Sequence, residues 1–404
     1  MCNKTIKLSE IAKVYDGPHA TPTKILEGPI YFGLDAMNER GEIIPSGFNF
    51  LSDEDYIKWT KRVTPTENDI VFSYEASLHR YAIIPSNFYG CLGRRVGIIR
   101  VLDNRINPKW LYYYFLSPGW RCLIENNIVR GSTVNRISVD KLPSYEIPLI
   151  SMDEQLKLVN VADSFTNKIE HNKKTVKTIE HYLDNLFESV FLRKDNSLID
   201  VEITDDDFQK GYFNDLIHFE RGGDWGDAEE TSTHNFMVKC IRGADFPALN
   251  NTIEPNIPTR FISYKNKEKC LNAGDILIEI SGNPGRIVYI TNIAFSRFGE
   301  HIISSNFCKA IVLKDKDYSQ YFYLLWKNLY KAGLCDRYTG KTTIGNLLFN
   351  SLVEQHQIEI PSKKVIKAFN KKIDGLFIKL QQCLYENDLL FEERNLIISR
   401  LTRY

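Results

Sequence analysis

Two stretches of the chain, residues 152–192 and 363–401, each run for about 40 residues without a proline or a cluster of turn residues. In the first, Phe165, Ile169, Asn172, Val176, Ile179, Leu183, Leu186 and Val190 recur at spacings that alternate four and three. In the second, Ile366, Phe369, Ile373, Leu376, Leu380, Cys383, Asn387, Leu390, Arg394, Ile397 and Leu401 alternate three and four. Such alternation is the seam of a coiled coil. Each seam carries one asparagine. Setting Asn172 opposite Asn387 with the helices antiparallel aligns the remaining layers. Ile169 then meets Leu390, Val176 meets Cys383, Ile179 meets Leu380, Leu183 meets Leu376, Leu186 meets Ile373, and Val190 meets Phe369. A buried polar pair of this kind gives up some stability to fix register. At about 1.5 Å per residue each helix would run about 60 Å, long enough to act as a ruler. The alternative is two amphipathic helices packed separately, each on its own domain.

The segments ahead of the helices repeat in order. Asn68–Phe72 is answered by Ala273–Ile278, each a turn followed by a buried strand. The aromatic run Leu111–Leu116 is answered by Tyr321–Trp326, Gly131–Asn135 by Gly340–Ile344, and Glu146–Pro148 by Glu359–Pro361. The offset stays between 206 and 213 residues, while the residues between these anchors barely agree. A frame repeated with divergent contents predicts two copies of one domain type with different specificities. The fold class is α+β: globular α/β domains at 1–150 and 196–361, long helices at 151–195 and 362–404, and a pseudo-twofold internal repeat.

Composition narrows the function. Fifty-one basic residues balance fifty-one acidic ones. That argues against a lone nucleic-acid binder, which usually carries a basic excess, but not against a DNA site shared with a partner that supplies positive charge. The eight cysteines form no C-x-x-C pair and have no histidine at zinc-ligand spacing, so they read as free thiols in a reducing compartment. The N-terminus lacks the apolar core of a signal peptide, and no stretch approaches the ~20 apolar residues of a membrane span. The expected location is cytoplasmic.

Catalytic motifs fail on inspection. Gly340-Lys341-Thr342 resembles the end of a phosphate-binding loop, but Cys335 occupies the place of the required earlier glycine. Asp275 and Glu279 share a strand face as a nuclease carboxylate pair would, yet no lysine follows at the needed spacing. The chain has no Asn-Pro-Pro-aromatic motif, no glycine fingerprint for S-adenosylmethionine and no histidine cluster for a metal. The chain therefore reads as non-catalytic. The rivals are a stand-alone nuclease or DNA methyltransferase with unrecognised motifs, and a scaffold that holds partners without reading DNA.

The ordered set of segments resembles the specificity subunit of type I restriction–modification systems along essentially the whole chain. Leu8-Ser-Glu-Ile-Ala12 and Asp16-Gly-Pro-His-Ala-Thr-Pro22 begin the match. The Gly-Asp-Ile-Leu-type strand, the Gly-x-Thr segment and Ile147-Pro148 with Glu154-Gln155 continue it. The second copy departs: Ile360-Pro361 is followed by Ser-Lys-Lys-Val, without the Glu-Gln pair. The resemblance implies two target recognition domains, each reading one half of a split, asymmetric site in double-stranded DNA. It also implies that the helix pair seats two methyltransferase subunits, and that restriction subunits can join. S-adenosylmethionine, ATP and Mg would then sit on those partners and none on this chain.

Base edges specify and phosphates position, with arginine suited to guanine and asparagine to adenine. The DNA-reading candidates in the first domain are His19, Thr21, Lys24, Ser73, Tyr74, His79, Arg80, Arg94, Arg95, Ser132, Thr133, Asn135 and Arg136. In the second domain they are Arg221, Asp224, Trp225, Arg242, Asn283, Arg286, Arg297, His301, Lys341, Thr342 and Thr343.

Overall fold

A computed structural model describes residues 4–131, 134–250, 257–340 and 345–400. The chain divides into two units. Unit 1 comprises residues 1–167 with 390–404, and unit 2 comprises residues 168–389, so the division falls inside both long helices.

In unit 1, alternating apolar residues form short strands that build two sheets. The strands are β1 (Thr5–Lys7), β2 (Ala12–Asp16), β3 (Ile25–Phe32), β4 (Asn49–Phe50), β5 (Ile70–Ser73), β6 (Tyr81–Ile83), β7 (Gly90–Leu92), β8 (Val96–Val101) and β9 (Glu146–Pro148). One sheet has the order β2-β8-β5-β6, the other β4-β3-β7, and β1 pairs with β9. The strand β5 is buried on both faces, as its uninterrupted apolar run requires. Two short helices cover the larger sheet, Pro108–Phe115 and Pro118–Glu125. Each begins with proline, and each is capped by the preceding side chain: Asn107 Oδ1 accepts from Lys109 N, and Ser117 Oγ from Trp120 N. Their aromatic faces fill the core, where Trp120 lies 4.5 Å from Phe115 and donates to Tyr81 Oη at 2.8 Å.

Unit 2 repeats this plan and adds one further strand pair. Its strands are β10 (Phe208–Tyr212), β11 (Ile217–Gly222), β12 (Phe236–Ile241), β13 (Thr259–Ile262), β14 (Ile276–Glu279), β15 (Ile287–Tyr289), β16 (Ile302–Ser304), β17 (Cys308–Leu313), β18 (Thr339–Gly340), β19 (Asn346–Leu347) and β20 (Gln357–Pro361). The sheet orders β11-β17-β14-β15 and β13-β12-β16, with β10 against β20, reproduce those of unit 1. The one parallel pairing in each small sheet recurs too, β3 with β7 and β12 with β16. The aromatic helix is Ser319–Lys331, and Trp326 stacks on Phe322 at 5.9 Å.

The first long helix is α-helical over Met152–Phe187 and closes in a π-helical turn, Glu188–Leu192. The second spans Lys363–Arg400. Within unit 2, Asn172 Nδ2 donates to Asn387 Oδ1 at 2.9 Å and to Glu386 Oε2 at 2.8 Å. Val176, Ile179, Leu183, Leu186 and Val190 share one core with Phe369, Ile373, Leu380 and Cys383. The second seam departs from strict heptads. Leu376 is half-buried while Phe377 turns inward, edge-on to Tyr289 and Tyr323 at 5.7 and 6.0 Å. Ile398 rather than Ile397 is buried in unit 1, and Phe165 is only half-buried. A straight helix drifts about 20° per heptad, so a helix also packed on domain aromatics follows the 3.6 period instead of 3.5.

The Glu-Gln element is architectural. Gln155 is 0% exposed. Its Nε2 donates to the carbonyls of Arg105 and Ile150, and its Oε1 accepts from Asn107 N at 2.7 Å. Glu154 closes a capping box with Ser151. The second helix is fixed by other means: Ser362 Oγ and Lys364 Nζ both donate to Asp207. Hydrogen bonds from Ser362 and from Thr204 draw the Asp207 carboxyl down to about 2.

Candidate nucleic-acid interface

The same loops converge at one end of the sheets in each unit. In unit 1, Gly17 follows β2 and packs so closely on the turn between β7 and β8 that a Cβ would lie 2.1 Å from Val96 O. The next strand end is tied to that turn, with Tyr74 N donating to Arg95 O at 3.1 Å. Ile137 N donates to Tyr74 O, and Ala76 N to Asn135 O. The result is one surface carrying His19, Arg94, Arg95, Asn135 and Arg136. His19 Nε2 lies 2.9 Å from Asp16 Oδ2, which fixes the Asp-Gly-x-His turn. Burial and the adjacent Asp16 carboxylate push the Tyr74 phenol upward.

Unit 2 builds the same scaffold with different residues. Gly223 follows β11 against Ser304 and Ser305. Ile280 N donates to Phe307 O at 2.7 Å, Leu347 N to Ile280 O, and Gly282 N to Gly345 O. The loop after the central strand repeats even its backbone. Ala76 and His79 adopt φ +69° and +62°, and glycines take the matching places, Gly282 at +103° and Gly285 at +93°. Residues other than glycine pay for that conformation. His79 is anchored by a 2.5 Å contact between its Nε2 and Glu125 Oε1.

Many sequence candidates are engaged by partners within their own unit. Arg80 donates to Leu34 O at 2.9 Å, and its counterpart Arg286 to Gly243 O at 2.8 Å and Glu279 Oε2 at 2.6 Å. Arg221 is paired with Asp275, Arg242 with Asp245, Arg297 with Asp388 and Arg95 with Glu75. Asp275 and Glu279 are thus each held by an arginine. Burial nevertheless keeps the Asp275 carboxyl above the usual range. Ser73 and Tyr74 are buried, and Asp224 accepts from Asn266 Nδ2 on the turn after β13. His301 is half-buried against the Phe236 ring at 4.6 Å.

The candidates that face solvent are His19, Thr21, Lys24, Arg94, Asn135 and Arg136 in unit 1, with Asn283 in unit 2. Trp225 is half-buried with the Arg260 guanidinium 3.6 Å from its ring centroid. Ser132, Thr133, Lys341, Thr342 and Thr343 lie outside the described residues. Sequence reasoning passed over Asn306 and Phe307, both exposed on the turn before β17. They occupy the place of Arg94 and Arg95, and the structural signal is that repeat alignment. Among the described residues, no group of three His, Cys, Asp or Glu side chains is placed to hold a metal ion. Nor is any described helix long and apolar enough to cross a membrane.

Residues 2–181 match the family model of the type I restriction modification DNA specificity domain. The specificity-family match covers the first domain and most of the first long helix, and the repeated topology places the second domain on the same plan. The specificity subunit of the type I restriction enzyme MjaIX from Methanocaldococcus jannaschii is 24% identical over 291 residues, 67% of this chain. That alignment spans 63% of the relative, less than two thirds of its length. The crystal structure of a type I restriction–modification S subunit from M. genitalium shares the fold. It matches with a TM-score of 0.60 at 16% identity, covering 98% of this chain and 95% of that one.

Proposed function

We propose that this chain is the DNA-specificity subunit of a type I restriction–modification complex, with each unit reading one part of a split DNA sequence. The observation that carries this reading is the paired loop scaffold. The same backbone hydrogen bonds recur in both units, yet one turn offers Arg94-Arg95 and the other Asn306-Phe307. A shared frame with exchanged side chains is what two readers of different half-sites require, because specificity lies in base-edge chemistry and not in the frame.

The chain acts in the cytoplasm as a non-catalytic member of the complex. Two methyltransferase subunits seat on the helix pair, joined by restriction subunits where the system includes them. S-adenosylmethionine, ATP and Mg belong to those partners. Their positive charge supplements a chain whose own charge is zero. Selection of bound duplexes from a random pool by the complex tests the reading. Two conserved half-sites separated by a fixed unread spacer are expected; one continuous site, or no enrichment, would overturn it.

A further inference from the structure

Unit 2 contains a cavity of about 570 Å³, within the ~300–1,000 Å³ typical of small-ligand sites. Its walls include Trp225, Glu279, Ser281, Ser305, Asn306 and Phe307. Three observations define what it would accept. Phe307 is 60% exposed although its carbonyl is tied down by Ile280 N and Ser281 N, so an apolar ring is held open to solvent on a fixed backbone. Trp225 supplies a second aromatic surface, stiffened by the Arg260 stack. The charged groups along the walls are compensated internally, Arg242 by Asp245 and Glu279 by Arg286. A phosphate or carboxylate would find no unmatched cation there. A flat, uncharged heterocycle would find aromatic faces, the exposed Asn306 amide and the buried Ser305 hydroxyl.

We propose that this cavity takes up a single unstacked nucleobase from the DNA bound by unit 2, stacking it on Trp225 and Phe307 and reading its edge through Asn306. The proposal rests on the DNA-reading function above. It makes the second unit partly a reader of an extruded base, a mode in which unpairing costs energy that a binding pocket returns. The equivalent turn of unit 1 carries Arg94 and Arg95 in place of this amide and ring.

The test uses the assembled complex and duplexes of its own recognition sequence, each with one mismatch that weakens a single base pair in the half-site read by unit 2. At one position the mismatch should tighten binding about tenfold, because the unpairing cost is already met. Phe307→Ala and Asn306→Ala should reduce that gain to within about twofold. Both side chains are exposed, and unchanged melting temperatures would confirm intact folding. No gain at any position, or a gain that both variants retain, would overturn the proposal. Saturable binding of free adenosine to the DNA-free complex, lost in Phe307→Ala and accompanied by no mismatch gain, would assign the cavity to a free nucleoside and overturn extrusion. Loss of sequence-specific binding to intact duplexes by the unmodified complex would instead refute the function itself.

Discussion

Replacing Asn172 with leucine probes the helix pairing at its most informative layer. Asn172 and Asn387 are both nearly fully buried. The substitution removes two hydrogen bonds, to Asn387 Oδ1 and Glu386 Oε2, each worth about 0.5–1.5 kcal/mol net. It also strands the Asn387 amide, at about 1–3 kcal/mol. Leucine returns part of this through apolar burial, about 1.5–3 kcal/mol for a full side chain. The net expectation is a loss of about 1–3 kcal/mol. In the native pair, Asn387 Nδ2 has no partner among the described residues, so the layer is already incompletely satisfied. The double variant Asn172→Leu/Asn387→Leu should therefore recover the loss, and can exceed the native stability while relaxing register. Urea unfolding midpoints at unchanged slope, analysed as a double-mutant cycle, provide the measurement. A single variant as stable as the native chain, or a double variant as unstable as the summed singles, would refute this reasoning.

Further consequences follow from the loops and struts. Ala76→Gly should raise stability by up to ~1 kcal/mol in thermal unfolding, because glycine meets φ +69° without steric cost. His79→Gly relieves the same kind of strain but loses the Glu125 contact, so it should lower the melting temperature. Gln155→Leu orphans backbone groups of Arg105, Asn107 and Ile150 and should cost about 2–4 kcal/mol, whereas Glu154→Ala should cost far less. Arg221→Met should cost about 3–5 kcal/mol by leaving Asp275 buried and unpaired. Its pH dependence has a definite sign. A carboxyl whose folded pKa lies above its unfolded value binds more protons when folded. Arg221 holds the raised Asp275 value down, and its removal lifts that value further, so the penalty grows as pH rises beyond the native folded value, and a penalty that shrank there would contradict the assignment.

The long helices and the duplicated frame were legible because periodicity reports which face is buried. Asn172 and Asn387 stood out as polar residues in apolar seams, and the geometry joins them directly. The Phe377 position was not legible, because it packs on the domain aromatics Tyr289 and Tyr323, nor was Ile398, which joins the core of unit 1. Arg80, Arg221, Arg286 and Arg297 looked like DNA contacts because sequence cannot distinguish a cation facing solvent from one paired with a carboxylate brought near by folding. Their acceptors lie in other elements of the fold, Leu34, Asp275, Gly243 and, on the second long helix, Asp388. Asn306 and Phe307 carried no motif and emerged only when the repeat was aligned through its hydrogen bonds.

The central claim is that each unit reads its own half of one split site. Mapping methylated bases in cells that express the complete system, with the native chain and with Arg94→Ala/Arg136→Ala, tests it most directly. Both side chains are exposed on unit 1, and loss of a base contact is worth about 1–3 kcal/mol of discrimination. The account predicts one two-part motif in which the variant relaxes a single half and leaves the other half and the spacer unchanged. An unaltered motif, or loss of information from both halves together, would contradict it.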